Sequence, residues 1–116
     1  MVRLVVKKDE QTVDEFEFKD GPVRIGRRSI NDISLRHPKI SKHHAVISLD
    51  KQGSWTIEDL DSANKTYLND KAIHKERIKT GDKISINCFT IEVDLESDGA
   101  VSEKKEPSEQ PGNIGP

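Results

Sequence analysis

An all-β domain, an antiparallel sandwich or barrel of short strands, is what this sequence predicts, and three observations carry the prediction. Apolar and polar residues alternate with period two along nearly the whole chain. Turn-forming residues break the alternation at short intervals. No stretch repeats its apolar residues at the spacing of an amphipathic helix. Successive strand residues face opposite ways, so each run sets one apolar stripe against a core. The period alone leaves sandwich and barrel both open.

The elements follow in order. Met1-Val2-Arg3-Leu4-Val5-Val6-Lys7-Lys8 is basic and briefly apolar but has neither the apolar centre nor the small-residue cleavage site of a secretory leader, so it reads as a strand. Phe16 and Phe18 flank Glu17. Ala45, Ile47 and Leu49 alternate with Val46 and Ser48, and Trp55 and Ile57 with Thr56 and Glu58. Ile84 and Ile86 flank Ser85, and Phe89, Ile91 and Val93 alternate with Thr90 and Glu92. Between them stand Asp20-Gly21-Pro22, Asn31-Asp32, Gln52-Gly53-Ser54, Asn69-Asp70 and Thr80-Gly81-Asp82, each with turn chemistry.

After Leu95 the pattern stops. Residues 96–116 are dominated by Ser, Glu, Lys, Pro and Gly, with almost nothing to bury, and such a segment cannot offset the entropy of ordering. The sequence therefore predicts one domain over 1–95 and a disordered tail or linker over 96–116.

A chain of 116 residues has room for one core. No apolar run approaches the roughly 20 residues of a membrane helix, so no membrane partner is expected. The single cysteine, Cys88, excludes an internal disulfide and suits a reducing compartment, giving a cytoplasmic expectation, or a nuclear one in a eukaryote. The net charge of −2 argues against general affinity for nucleic acid. Its distribution is uneven. From Val23 to His44, Arg24, Arg27, Arg28, Arg36, Lys39 and Lys42 face Asp32 alone, so this segment carries +6 − 1 = +5 and the remainder −7. It contains no aromatic residue but its histidines, which disfavours base stacking and points to a small, discrete anion.

Other chemistries find little support. His43 and His44 are adjacent strand residues and face opposite ways, and no Cys-x-x-Cys or His-x-x-x-His accompanies His37 or His74, so neither metal nor cofactor is expected. Ser41, His44 and Asp59 could compose a catalytic triad, but no nucleophile elbow and no phosphate-cradling Gly-rich loop is present. Asn64-Lys65-Thr66 matches a glycosylation sequon by chance.

Four segments, taken in order, resemble the forkhead-associated (FHA) family: Gly26-Arg27; Asn31-Asp32-Ile33-Ser34-Leu35; Ser41-Lys42-His43-His44-Ala45; and Asp59 through Asn69, with Gly81-Asp82-Lys83-Ile84 trailing. The likeness spans Val2 to Leu95. It implies an eleven-stranded antiparallel β-sandwich whose loops at one end read phosphothreonine, a non-enzymatic module monomeric as an isolated domain, and a partner phosphorylated in a Ser/Thr kinase pathway. In the resemblance Arg27 grips the phosphate, for which a planar fork of donors is well suited. Ser41 donates its hydroxyl and its loop amides to the same phosphate, Lys42 adds charge, Asn64 holds the peptide main chain, and Lys39 meets the peptide beyond the phosphate. Gly26, His44 and Thr66 shape the loops. Two positions depart from the family. Lys65 stands where it usually has glycine, and Ala63 where it often has a hydroxyl or basic residue, which removes one phosphate contact. These departures keep a second reading open, a phosphate-independent interaction domain that binds through its sheet face.

Overall fold

The computed structural model describes residues 1–95, and the tail expected over 96–116 lies outside them. Eleven strands make up the fold: β1 (Val2–Lys8), β2 (Gln11–Phe18), β3 (Val23–Gly26), β4 (Ile33–Ser34), β5 (Ala45–Leu49), β6 (Trp55–Asp59), β7 (Thr66–Leu68), β8 (Lys71–Ile73), β9 (Lys75–Arg77), β10 (Lys83–Ile86) and β11 (Phe89–Leu95). They form a six-stranded sheet in the order β2-β1-β11-β10-β7-β8 and a five-stranded sheet in the order β4-β3-β5-β6-β9. The architecture is the all-strand sandwich. One pairing is not antiparallel: β4 runs parallel to β3, matching Ile25 with Ile33 and Gly26 with Ser34.

The alternation read from the sequence becomes the core. Val2, Leu4 and Val6 of β1 and Phe89, Ile91 and Val93 of β11 point inward from one sheet, and Val23, Ile25, Ile47 and Ile57 meet them from the other. Each such side chain, fully buried, contributes about 1.5–3 kcal/mol of transfer free energy. Leu35, Ile40 and Ile78 close the core from the connections. Ile40 matters for function because it pins the long β4–β5 connection to the core from within, while its neighbours Lys39 and Lys42 stay exposed.

Turn chemistry matches where Gly or Asn supplies it. Gly53 and Gly81 have φ of +82° and +95°, and the β7–β8 turn places Asn69 and Asp70 at +51° and +70°. The β1–β2 turn differs: Asp9 and Glu10 occupy the same left-handed region, and no Gly or Asn marks it in the sequence.

Register fixes which end is which. Val2 lies opposite Leu95 and Lys8 opposite Phe89. Phe89 pairs with Ile86 of β10, and Ser85 pairs with Tyr67 of β7. The start of β7, and the β6–β7 loop before it, therefore sit at the Lys8–Phe89 end, opposite Val2 and Leu95.

Candidate functional site

Three loops converge at this end: β3–β4 (residues 27–32), β4–β5 (35–44) and β6–β7 (60–65). Gly26 makes the first junction possible by having no side chain. A Cβ there would lie 2.2 Å from the Lys42 carbonyl oxygen and 2.8 Å from Asn31 Nδ2, closer than atoms can pack. The backbone of β3 can thus approach the Ser41–Lys42 segment closely, and Arg27 N–H donates to the Ser41 carbonyl over 3.0 Å. Asn31, buried, locks the two loops together. Its Nδ2 donates to the carbonyls of Arg28 (2.8 Å) and Lys42 (2.9 Å), and its Oδ1 meets the His43 ring at 3.4 Å.

His44 ties in the third loop. It is fully buried, and Ser41 N–H donates to its Nδ1 over 3.3 Å. That nitrogen is an acceptor, so the proton is on Nε2, which donates to the Lys65 carbonyl over 2.9 Å. The backbone of His44 adds a bond to Ile25 O and receives one from Leu60 N. One side chain and its own peptide groups thereby hold β3 and both remaining loops.

Asp59 organises the β6–β7 loop from inside. Its carboxylate accepts from Ser62 N–H (3.1 Å), the Ser62 hydroxyl and the Thr66 hydroxyl (2.7 Å), Thr66 being fully buried. Burial pushes the Asp59 carboxyl up, but the hydroxyls of Ser62 and Thr66 and the Ser62 amide together draw it below the usual carboxylate range.

Lys65 adopts φ of +64°. The position therefore requires left-handed backbone, which explains the glycine of the resemblance, and the chain has kept that conformation rather than relaxing it. The strain is about 1–2 kcal/mol.

Ser41 and Asn64 face each other's loops. Ala63 N–H donates to Ser41 Oγ over 3.0 Å, and Asn64 Nδ2 donates to the Lys39 carbonyl over 2.6 Å. The Ser41 oxygen is thus fixed as acceptor on one side, and its own proton is directed elsewhere. Two amides of these loops already have partners within the protein, that of Ser41 on His44 Nδ1 and that of Arg27 on the Ser41 carbonyl. The Ser41–His44–Asp59 relay does not form: His44 Nδ1 faces the Ser41 main chain, and Nε2 lies 4.0 Å from Asp59. Among the described residues, no cluster of three or more His, Cys, Asp or Glu is placed to hold a metal ion.

Beside Arg27 opens a cleft of 590 Å³, lined by Arg27, Arg28, Ser29, Ile30, Arg36, His37, Pro38 and Lys42. It brings Arg27 and Lys42 together. Ser41, Asn64 and Lys39 do not line it, and Lys39 is exposed with its amide donating to His37 Nδ1. Arg27 Nε is the one buried side-chain nitrogen or oxygen without a hydrogen-bond partner among the described residues.

Four residues of this region have structural positions that the sequence reading did not give. Asn31 shows in the sequence as a turn residue and as part of a family-like segment, but not as the lock between loops, since its partners lie 3 and 11 residues away. Arg28 and Arg36 are visible only as charge. Asp59 left a signal that could have been read, because Asp followed three residues later by Ser is a local side-chain-to-backbone turn.

Comparison with known proteins agrees with this geometry. The family model described as FHA domain matches residues 23–87. An FHA domain-containing protein of Arabidopsis thaliana is 36% identical over 95 residues, covering 77% of this chain and 24% of that protein. The solution structure of the FHA domain of an Arabidopsis thaliana hypothetical protein superposes with a TM-score of 0.75 at 32% identity, over 86% of this chain and 89% of that one. Mycobacterium tuberculosis EmbR in complex with a low-affinity phosphopeptide gives 0.71 at 25% identity, over 85% and 26%. The chain spans about a quarter of that plant relative and 61% of the Corynebacterium oxoglutarate dehydrogenase inhibitors, which are 30% identical to it. With the sandwich, the loop bracing and the matched segment in agreement, this chain belongs to the FHA domain family.

Proposed function

We propose that the domain is a phosphothreonine-dependent interaction module that docks substrates of a Ser/Thr kinase. Arg27, Ser41 and Lys42 hold the phosphate, Asn64 sets the peptide's register through its main chain, and Lys39 meets the peptide beyond the phosphate. Gly26, His44 and Thr66 keep the loops in place. The module performs no chemistry of its own, acts as a monomer when isolated, and works in a reducing compartment, cytoplasmic or nuclear, in keeping with the free thiol of Cys88.

The observation that carries the reading is that Arg27 and Lys42, from two different loops, line one cleft and pair with no carboxylate among the described residues, with Arg27 N–H bonded to the Ser41 carbonyl beside them. A phosphothreonine suits that arrangement, since it brings three strong acceptors and about −1.5 to −2 charges. The Ser41 hydroxyl, its oxygen fixed by Ala63, supports the same reading.

The test is a calorimetric titration of a phosphothreonine peptide library against its unphosphorylated twin. The expected dissociation constants are about 1–100 μM for the phosphorylated set. A Glu in place of phosphothreonine should not bind, having half the charge and one oxygen fewer. Equal affinity with and without phosphate would replace this proposal with phosphate-independent binding on the sheet face.

A further inference from the structure

The cleft between the β3–β4 and β4–β5 loops holds more positive charge than one phosphothreonine neutralises. Arg27, Arg28, Arg36 and Lys42 give it a formal +4, and none of its lining residues is acidic. Among the described residues, none of these four makes an ion pair with a carboxylate. A single phosphothreonine at about −2 leaves roughly +2 on one concave surface, where like charges repel and concentrate the field.

Space and position agree with the charge. The cleft is wider than the three terminal oxygens of one phosphoryl group, with 590 Å³ open between its two loops. The first phosphate is assigned to the side of the cleft where Arg27, bonded through its amide to Ser41, and Lys42 stand, and Ser41 itself is not part of the wall. Arg28 and Arg36 are contributed by different loops to that wall.

We infer that the cleft receives a second phosphorylated residue of the same partner segment, gripped by Arg28 and Arg36 while Arg27 and Ser41 hold the phosphothreonine. This deepens the proposed function and rests on it. Two guanidinium forks suit a second set of phosphate oxygens, and two phosphates together match the +4 of the wall. Ile30, 73% exposed on the wall, offers an apolar surface to the residues between the two phosphates. A nucleic acid is the weaker occupant, because the wall has no aromatic residue beyond His37 on which a base could stack.

The test uses the full chain in calorimetric titrations at physiological salt. The probes are a fifteen-residue peptide with a central phosphothreonine, a series with a second phosphothreonine two to six residues to either side, and the same series with Asp at the second position. The best doubly phosphorylated peptide should bind at least tenfold tighter than the single one. That gain should vanish in Arg28→Ala/Arg36→Ala, whose affinity for the singly phosphorylated peptide stays within about twofold. A gain below twofold at every spacing, or one that persists in the double variant, overturns the inference while leaving the proposed function intact. An equal gain from Asp overturns the phosphate requirement, and equally strong competition by a twenty-nucleotide oligothymidine overturns the peptide assignment. If the singly phosphorylated peptide does not bind, the underlying reading fails and takes this one with it.

Discussion

The Ala63 amide donates to the Ser41 hydroxyl oxygen over 3.0 Å, joining two loops 22 residues apart in sequence. Because the contact comes from the main chain, the small side chain at 63 does not weaken it. What alanine withholds is an additional donor to the phosphate. Ala63→Thr should therefore tighten phosphothreonine binding by about tenfold or more, the equivalent of one charge-assisted hydrogen bond of about 1.5–3 kcal/mol, without moving the melting temperature. Titration of both forms with one phosphopeptide checks this, and unchanged affinity would show that position 63 faces away from the ligand.

Arg27→Ala should abolish detectable phosphopeptide binding. Its effect on stability should be small: the backbone bond to Ser41 O survives, and the side chain is only partly buried. The melting temperature should hold. A drop of several degrees in differential scanning calorimetry would mean that the guanidinium supports the loops as well as the ligand.

Gly26→Ala should be costly, since its Cβ would collide with the Lys42 carbonyl, which is backbone and cannot swing aside. Overpacking of this kind costs about 1–3 kcal/mol or more, lowering the melting temperature by roughly 5–20 °C in a domain of this size. Phosphopeptide affinity should fall with it, because the displaced segment carries Ser41 and Lys42. Wild-type affinity in a folded Gly26→Ala variant would separate the two loops' roles.

Lys65→Gly should relieve left-handed strain of about 1–2 kcal/mol, less about 0.5–1 kcal/mol for the freer unfolded chain. The expected result is a rise of a few degrees in melting temperature. Binding should be unchanged, because the Lys65 carbonyl stays on His44 and Asn64 keeps its bond to Lys39. Tighter binding without a stability gain would instead implicate the lysine side chain.

Asp59 makes stability depend on acid. Its carboxyl is depressed in the folded protein, so the stability it contributes is present above the unfolded carboxylate value of about 3.9 and is lost as pH falls through the lower folded value. Thermal melts from pH 7 to pH 2 should show this loss on the acid side. Asp59→Asn should be less stable at pH 7 and show a shallower acid decline; an identical decline would place the acid sensitivity elsewhere.

How much of this was legible follows from range. The long strands were visible because alternation is local: Ile84, Ile86, Ile91 and Val93 all face the core. β4, β8 and β9 have two or three residues each, too few to show a period, and came only with the family likeness. Within the site, residue types were readable but their partners were not. Asn31 to Lys42, Ser41 to Ala63 and Asn64 to Lys39 are pairings across 11, 22 and 25 residues, which tertiary packing alone brings together. Lys65 lay between, since a departure from glycine hints at positive φ and only the backbone shows it.

Val2 and Leu95 stand side by side on neighbouring strands at the end away from the three loops. Polypeptide can enter and leave the described body through one narrow base, as a handle meets the back of a brush. Whatever is joined there cannot crowd the loops by its attachment alone. For a segment joined at that base, length and stiffness would set where the three loops point without changing the bonds that hold those loops together.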